Sequence, residues 1–447
     1  MNVLVAYLVL LIAIGILDWR RAGDWNEYVL AGRSKSALAV TLSILASVVG
    51  ASATMAVVDM AYRTGFPAFW WLAVGAVGLL VQAGLLSRRV RNFRVSTLPD
   101  LAERVAGPWM RRVSALVVAA GWTGIVAAQF VAAAKVATTI SGQSPFTMTL
   151  ITAAVITGYA VLGGQHSVFR TDMLQFGLLA AGLAWLLVRL YGPAPVPLEA
   201  LSFEALNASF GTWDFMEFLF LVGGSYFICP IIFSRLFTAR TARAAQRASL
   251  ASGLLLLPLS LGITAIGLWA GYHMPGISGD VLTTVAQACL SGPTATLFFL
   301  ALLSAIVSSA DTCLLAVGSI VSQDLMGSRR IRTVRGVVLL TGLAATGIAL
   351  KRQDIIGILL EAYGIFTAGL VPPLAAGLLA RGRWTPHSGM LLWAALLGGG
   401  TALAGSALDL SWLPMVIPPF LGGLKSRAYA TSASLALGGY PPRAECG

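Results

Sequence analysis

Apolar residues in this chain run in blocks of about 20, the length an α-helix needs to cross a bilayer. They do not alternate with polar ones as half-buried strands would. The blocks cover roughly 2–18, 38–62, 67–87, 113–140, 146–163, 172–190, 213–234, 249–272, 294–320, 334–350, 355–379, 388–406 and 411–424. They predict an all-α membrane protein with about 13 transmembrane helices. The first block, Asn2 to Asp18, lacks a basic leading region and has no small-residue cleavage site behind it. It is therefore read as a retained span rather than a signal peptide. The last block is short and interrupted by Pro414, Pro418 and Pro419, and the polar, Gly-rich stretch 426–447 behind it reads as a disordered tail. Connections are short. The longest on the outer side, Tyr191 to Thr212, is Pro-rich and is expected to lie along the membrane, and an amphipathic helix is expected around Leu98–Val105.

Composition strengthens the pattern. Of 447 residues, 57% are hydrophobic and 11% charged, where a soluble domain is nearer a quarter charged. A net charge of +12 would suggest nucleic acid in a soluble protein. Here the arginines cluster in every second loop: Arg88, Arg89, Arg91 and Arg94, then Arg235, Arg240, Arg243 and Arg247, then Arg329, Arg330, Arg332 and Arg335. The positive-inside rule puts those loops in the cytoplasm, the N-terminus outside and the C-terminus inside. The charge reports topology in a cell membrane, and nucleic acid is not expected as a partner. No G-x-x-x-x-G-K-S/T loop is present, which argues against ATP-driven transport. The four cysteines show no C-x-x-C spacing, and His166, His273 and His387 are scattered, so an enzyme or a transition-metal centre is not expected.

Polar residues inside the blocks carry the candidate chemistry. The second span, TLSILASVVGASATMAV, is dense in Ser, Thr, Ala and Gly around Gly50. It is compatible with a closely packed interior helix whose hydroxyls bond back to their own backbone. It is equally compatible with an unwound segment presenting carbonyls to a cation. In the ninth span, LLSAIVSSADTCLLAVGSI, Ala305, Ser308, Ser309 and Thr312 share one helix face, with Asp311 beside them. An aspartate at membrane depth costs several kcal/mol unless partnered, so it reads as an ion or proton site or as half of an internal pair. Lys135, in the outer part of the fourth span, either snorkels to the interface or faces a substrate carboxylate. Glu361 reads as interfacial, and Trp70 and Trp71 as aromatic-belt residues or cavity walls.

With these landmarks the chain resembles the sodium:solute symporter family, which includes proline, pantothenate, sugar and sialic-acid symporters. EYVLAGRS resembles the family's YFLAGR approach to the second span, and AYRTGF its ending. TLPDLAERVAG is similar to T-x-P-D/E-x-F/L-x-x-R-Y/F-G, and GYAVLGGQHSVFRTDMLQ to YTxxGGxxAVxxTDxxQ. CPIIFSRLFTARTARAAQRAS and SAIVSSADTCLLAVGSIVSQDL resemble the turn after the seventh span and the ion-site helix, SSxxSxLxxxSSxxxxD. The likeness runs from about Tyr28 to Arg383. It implies a leucine-transporter-type fold of two inverted five-helix repeats, residues 37–191 and 192–384, preceded by a helix and loop (1–36) and followed by two helices (385–425).

The resemblance also implies a sodium site, formed by the carbonyls of Ala46, Val49 and Ala305 and the hydroxyls of Ser308 and Ser309. A second cation would lie among Asp172, Ser308, Asp311 and Thr312. The resemblance puts Lys135 where carboxylate-transporting relatives often carry Arg, and the polar and aromatic residues Ser52, Thr54, Trp70, Trp71 and Gln129 complete the candidate substrate set. Sodium is the only metal implied, and the expected partners are sodium, a small organic solute and the lipid bilayer. Two departures matter. Val48 stands where proline symporters carry Asp, and the third span is almost wholly apolar, which disfavours a sugar. The leading reading is sodium-coupled import of a carboxylate or amino-acid-like solute by alternating access. The alternatives are a sensor or transceptor on the same fold and a symporter for a neutral sugar.

Overall fold

The computed structural model describes residues 25–407 apart from 198, 200, 278 and 381–386, together with 5–7, 9, 10, 12, 13 and 16. Among these residues nine helices are long and apolar enough to cross a membrane, or ten if the bent pair Ala37–Val48 and Ser52–Thr64 is one span. The chain is thus an all-α, multi-pass membrane protein. The spans read from the sequence as second to eleventh appear in order, and the twelfth is the apolar helix Ser388–Ala407. The thirteenth and the tail lie outside the described residues, as does most of the first.

Local chemistry sets many of the helix starts. Ser36, Thr97, Ser144 and Thr241 each accept a backbone N–H from the first turn of the helix behind them, and Pro108, Pro145 and Pro230 open helices at the position where a missing N–H costs nothing. The amphipathic helix Leu98–Ala106 forms behind Thr97 and buries Leu98, Leu101 and Ala102.

The ninth span, Gly292–Leu325, is the axis of the molecule, with 94% of its most apolar stretch buried. A helix apolar all round belongs in the middle of the bundle. It packs on the fourth span, Pro108–Ser141, and the sixth, Gln165–Tyr191.

Two spans are broken where they meet this axis. The second bends by 65° between Val48 and Ser52. There Val49 leaves helical geometry (φ −93°, ψ 63°) and a π-helix follows over Ser52–Ala56. The seventh carries a π-helix at Leu219–Gly223 and becomes extended at Ile228 and Cys229 before Pro230 restarts it. One end of each is pinned to the other: Lys35 N–H donates to Thr238 O (3.0 Å) and Arg240 N–H to Lys35 O (2.9 Å).

Candidate functional site

A helix break inside a membrane leaves backbone groups that no water satisfies. Two buried glutamines meet that demand. Gln129 of the fourth span accepts the Ala51 N–H on its Oε1 at 3.0 Å. Gln82 of the third span donates its Nε2 to Tyr226 O (3.1 Å) and Phe227 O (3.0 Å). Its own Oε1 accepts from Ser249 at 2.8 Å. Gly50 sits at the closest approach, since a Cβ there would run into Ser309 Oγ and would lie 2.9 Å from Gln129 Oε1.

At the first break the oxygens converge. Ser308 Oγ lies 3.5 Å and Ser309 Oγ 3.4 Å from Ala46 O, and both serines are buried. Val49 and Ala305 are buried in the same core. Such a set of hydroxyl and carbonyl oxygens suits a hard monovalent cation, which takes oxygen ligands.

One turn further along the ninth span is a charged cluster sealed from solvent. Asp172 is fully buried and accepts from Ser43 Oγ, from Ser308 Oγ at 2.6 Å and from Arg235 Nη2 at 3.3 Å. The same Nη2 donates to Thr312 Oγ1 (2.6 Å) and Ser47 Oγ (3.2 Å). Thr312 Oγ1 in turn lies 3.3 Å from Asp311 Oδ1. Asp311 Oδ2 and the Arg235 Nε and Nη1 atoms have no hydrogen-bond partner among the described residues. Arg235 corrects the sequence reading, which counted it with the loop arginines. It is fully buried within the seventh span and forms an ion pair with Asp172. The signal for it was an arginine five residues after a helix-starting proline.

The expected substrate residues do not form one group. Ser52, Gln129 and Ser309 line a small central cavity of ≈ 40 Å³ with Trp122, Tyr226 and Tyr363. Trp71 is buried behind it, edge-on to Phe218 and 6.4 Å from the Tyr363 ring. The Thr54 hydroxyl is spent on Gly50 O at 2.8 Å. Trp70 faces away, with Nε1 on Ala205 O (2.8 Å) and its ring against Phe215. Lys135 lies about 9 Å along the fourth span from Gln129, six residues at the helical rise. It lines a separate vestibule of ≈ 640 Å³, together with Asp59, Arg63, Thr138 and Asp280.

Among the described residues, the opposite, arginine-rich side is held by one ion-pair cluster. Asp324 at the end of the ninth span accepts from Thr97 Oγ1 (2.7 Å) and Arg111 Nε (2.8 Å), while Arg111 Nη1 holds Glu103 at 2.7 Å. Between this lock and Thr312 is a cavity of only ≈ 20 Å³, lined by Ser319, Ser234 and Gln165.

Known proteins resemble this chain. The family model of the sodium:solute symporter family matches residues 28–191. The high-affinity proline transporter PutP of Bacillus subtilis is 24% identical over 93% of this chain and 94% of its own length. The sodium/proline symporter of Escherichia coli is 25% identical over 82% of this chain and 80% of its own. The sodium/pantothenate symporter of Haemophilus influenzae is 24% identical, over 72% and 71%. Among solved structures, a Na+-coupled sialic acid symporter in an outward-open state superposes with a TM-score of 0.77 at 16% identity, covering 97% of both chains. The nucleobase-cation-symport-1 family transporter Mhp1 gives 0.63 at 14% identity, covering 90% of this chain and 94% of its own. The fold is of the leucine-transporter type with its two inverted repeats. In its motifs, in its match to the family model and along most of its length, the chain resembles the sodium:solute symporter family.

Proposed function

We propose that the chain is a sodium-coupled secondary active symporter that imports a small organic solute bearing a carboxylate. Sodium-coupled symport of a small organic solute is supported by the family match and by relatives that are sodium/proline and sodium/pantothenate symporters. The finer reading rests on one observation above all. On a buried axial helix, Ser308 Oγ and Ser309 Oγ lie 3.5 and 3.4 Å from Ala46 O beside the break in the second span. Sodium would be held there by the carbonyls of Ala46, Val49 and Ala305 and by these two hydroxyls.

The site joins two elements that can move relative to one another, a broken span and the axis. A cation bridging them favours whichever conformation brings them together, and that differential affinity is what couples the ion to the solute. The solute would occupy the central cavity at Ser52 and Gln129 once it widens. Asp172, Asp311 and Arg235 carry one more negative than positive charge when ionised, so a second cation among Asp172, Ser308, Asp311 and Thr312 would complete the balance. One helix bundle would rock against the rest of the two repeats, 37–191 and 192–384, with the arginine-rich loops cytoplasmic and the Lys135 vestibule outside.

Purified protein in proteoliposomes tests this with radiolabelled L-proline, since three of the relatives' names specify proline or a carboxylate vitamin. An inward sodium gradient should drive accumulation, and a sodium ionophore should abolish it. Accumulation indifferent to sodium would overturn the coupling. Sodium-driven uptake of a neutral sugar that a hundredfold excess of proline or pantothenate leaves unaffected would overturn the carboxylate reading.

A further inference from the structure

The third and eighth spans, Phe66–Leu85 and Ala242–His273, pack side by side. They run antiparallel. Ser87 Oγ, just past the third span, donates to Ser249 Oγ at 2.9 Å, Gly253 sits against Leu80, and Ser260 Oγ donates to Phe69 O at 2.7 Å. Gly253 also approaches Ala76 O, and Gln246 Nε2 donates to Ala83 O at 3.0 Å. One residue is about 100° of helical turn. The residue after each of these contact residues therefore stands on the flank of its helix, and in an antiparallel pair the two flanks fall on the same side. On the third span they are Val77, Val81 and Gly84, with Arg88 one turn beyond; on the eighth they are Arg247, Leu250 and Leu254. All of them are exposed.

This flank is apolar toward the middle of the membrane and basic at its arginine-rich end. Arg243, one turn before Arg247, is exposed on the same face and adds to the charge. Arg88, Arg243 and Arg247 have no carboxylate within 4 Å among the described residues. Their neighbours are engaged, Arg91 Nε on Ala239 O and Arg89 Nη1 on Leu378 O. Between the apolar stripes Gly84 leaves a recess, since nothing lies within 4 Å of where its Cβ would stand. Like charges drawn together repel unless an anion joins them, and planar guanidinium groups match phosphate oxygens. A basic pocket between membrane helices at headgroup level is built for an acidic lipid.

From this geometry we infer a binding site for one anionic phospholipid on the flank shared by the third and eighth spans, with its phosphate on Arg88, Arg243 and Arg247 and an acyl chain laid over Gly84. The site needs neither sodium nor solute, so it is independent of the transport reading. The headgroup ties the two helices together beside the Ser87–Ser249 bond. Ser249 also donates to Gln82, whose amide holds the break of the seventh span. Lipid occupancy therefore supports that break from the membrane side.

Thermal melting of the purified full chain in dodecyl maltoside micelles, titrated with phosphatidylglycerol, tests the site, because a ligand of the folded form raises the melting temperature by mass action. Phosphatidylglycerol should stabilise the wild type, while phosphatidylcholine with the same acyl chains and inorganic phosphate at the same concentration should not. Arg88→Gln/Arg243→Gln/Arg247→Gln should weaken the apparent affinity about tenfold or more. Arg329→Gln/Arg330→Gln/Arg332→Gln removes the same charge from another loop and should leave it within about threefold of the wild type. Gly84→Leu fills the recess and should weaken it severalfold. Lipid-free melting temperatures within a few degrees of wild type separate loss of the site from loss of the fold. Equal stabilisation by phosphatidylcholine, or equal loss of affinity in the two triple variants, would reduce the effect to general lipid or surface charge and overturn the proposal. Equal stabilisation by inorganic phosphate would make the arginines a site for free anions and overturn it too. Unchanged affinity in Gly84→Leu would take the acyl chain off this flank and overturn the site as drawn.

Discussion

Ser308 Oγ and Ser309 Oγ lie 3.5 and 3.4 Å from one carbonyl, that of Ala46, too far to satisfy it well, and the Ser308 proton is already given to Asp172 at 2.6 Å. A cation drawing these oxygens inward is the arrangement that would use them. Ser308→Ala/Ser309→Ala should therefore abolish sodium-stimulated uptake while membrane insertion persists. Wild-type sodium affinity in that variant would place the site elsewhere. Gly50→Ala acts on the same spot by volume, because its Cβ would displace Ser309 Oγ and crowd Gln129. Its sodium affinity should fall at least tenfold, read as the sodium concentration giving half-maximal uptake. Arg235 lends itself to a charge test. Breaking a buried pair by removing one partner typically costs about 3–5 kcal/mol. Arg235→Gln strips Asp172 and Asp311 of their one positive neighbour. The variant should melt lower than wild type in choline chloride and recover more than wild type in sodium chloride. Equal recovery would mean that sodium does not reach these acids.

The residues that sequence reading found and those it missed divide by contrast with their surroundings. Asp172 and Asp311 stand out as acids in apolar runs. Arg235 does not, because it precedes Arg240, Arg243 and Arg247, and a one-dimensional reading ends the span before it. The helix in fact runs to Thr238 and turns Arg235 inward. Lys135 was legible as a cation in a span, but only the fold places it in the vestibule rather than beside Ser52.

At the scale of elements, the break of the second span was one of two readings its small residues allowed, and the bend of 65° decides between them. The break of the seventh was not read at all. Gly223, Gly224 and Pro230 mark it, but glycines are common in membrane helices and the proline also reads as a helix start. What identifies a break is the partner that satisfies it, and that partner lies on another helix. Gln82 serves the seventh span and Gln129 the second. Neither role is visible in sequence, since a buried glutamine in a span looks the same whether it binds a solute or a backbone. A pair of substitutions separates these roles. Gln82→Leu leaves two carbonyls and Ser249 without their partner, and each unmade buried bond costs about 1–3 kcal/mol. It should lower the melting temperature with or without solute. Gln129→Leu should lower it too and also weaken proline-stimulated stabilisation, since Gln129 lines the central cavity. If the two variants lose solute-induced stabilisation equally, the glutamines do not differ in role.

For the molecule as a whole, the two sides of the membrane are unequal in this structure. One side has a vestibule of ≈ 640 Å³, and the other narrows to ≈ 20 Å³ below Thr312. The narrow side is held by Asp324, which ties the end of the ninth span to Thr97 and Arg111, and Arg111 in turn to Glu103. Two neighbouring segments meet the end of a span more than 200 residues later at one carboxylate, so a rocking motion that opens this side must break these bonds together. Cys313 reports on the barrier. It is 1% exposed, lines the central cavity one turn from Ser309, and lies above the lock. In a background of Cys229→Ala, Cys289→Ala and Cys446→Ala, a membrane-impermeant thiol reagent applied to the arginine-rich side should modify Cys313 slowly. Arg111→Gln removes two charge-assisted bonds, each contributing about 1.5–3 kcal/mol net. Even the lower figure for a single bond shifts a two-state equilibrium about tenfold. The labelling rate should rise by at least that factor, and Asp324→Asn should raise it less, because Arg111 keeps Glu103. Sodium should slow labelling in both variants if its site favours the conformation closed on this side. If Arg111→Gln leaves Cys313 as unreactive as in the parent, the barrier is the packing of the seventh span's second half over the axis. The Asp324 cluster then caps a helix end and gates nothing.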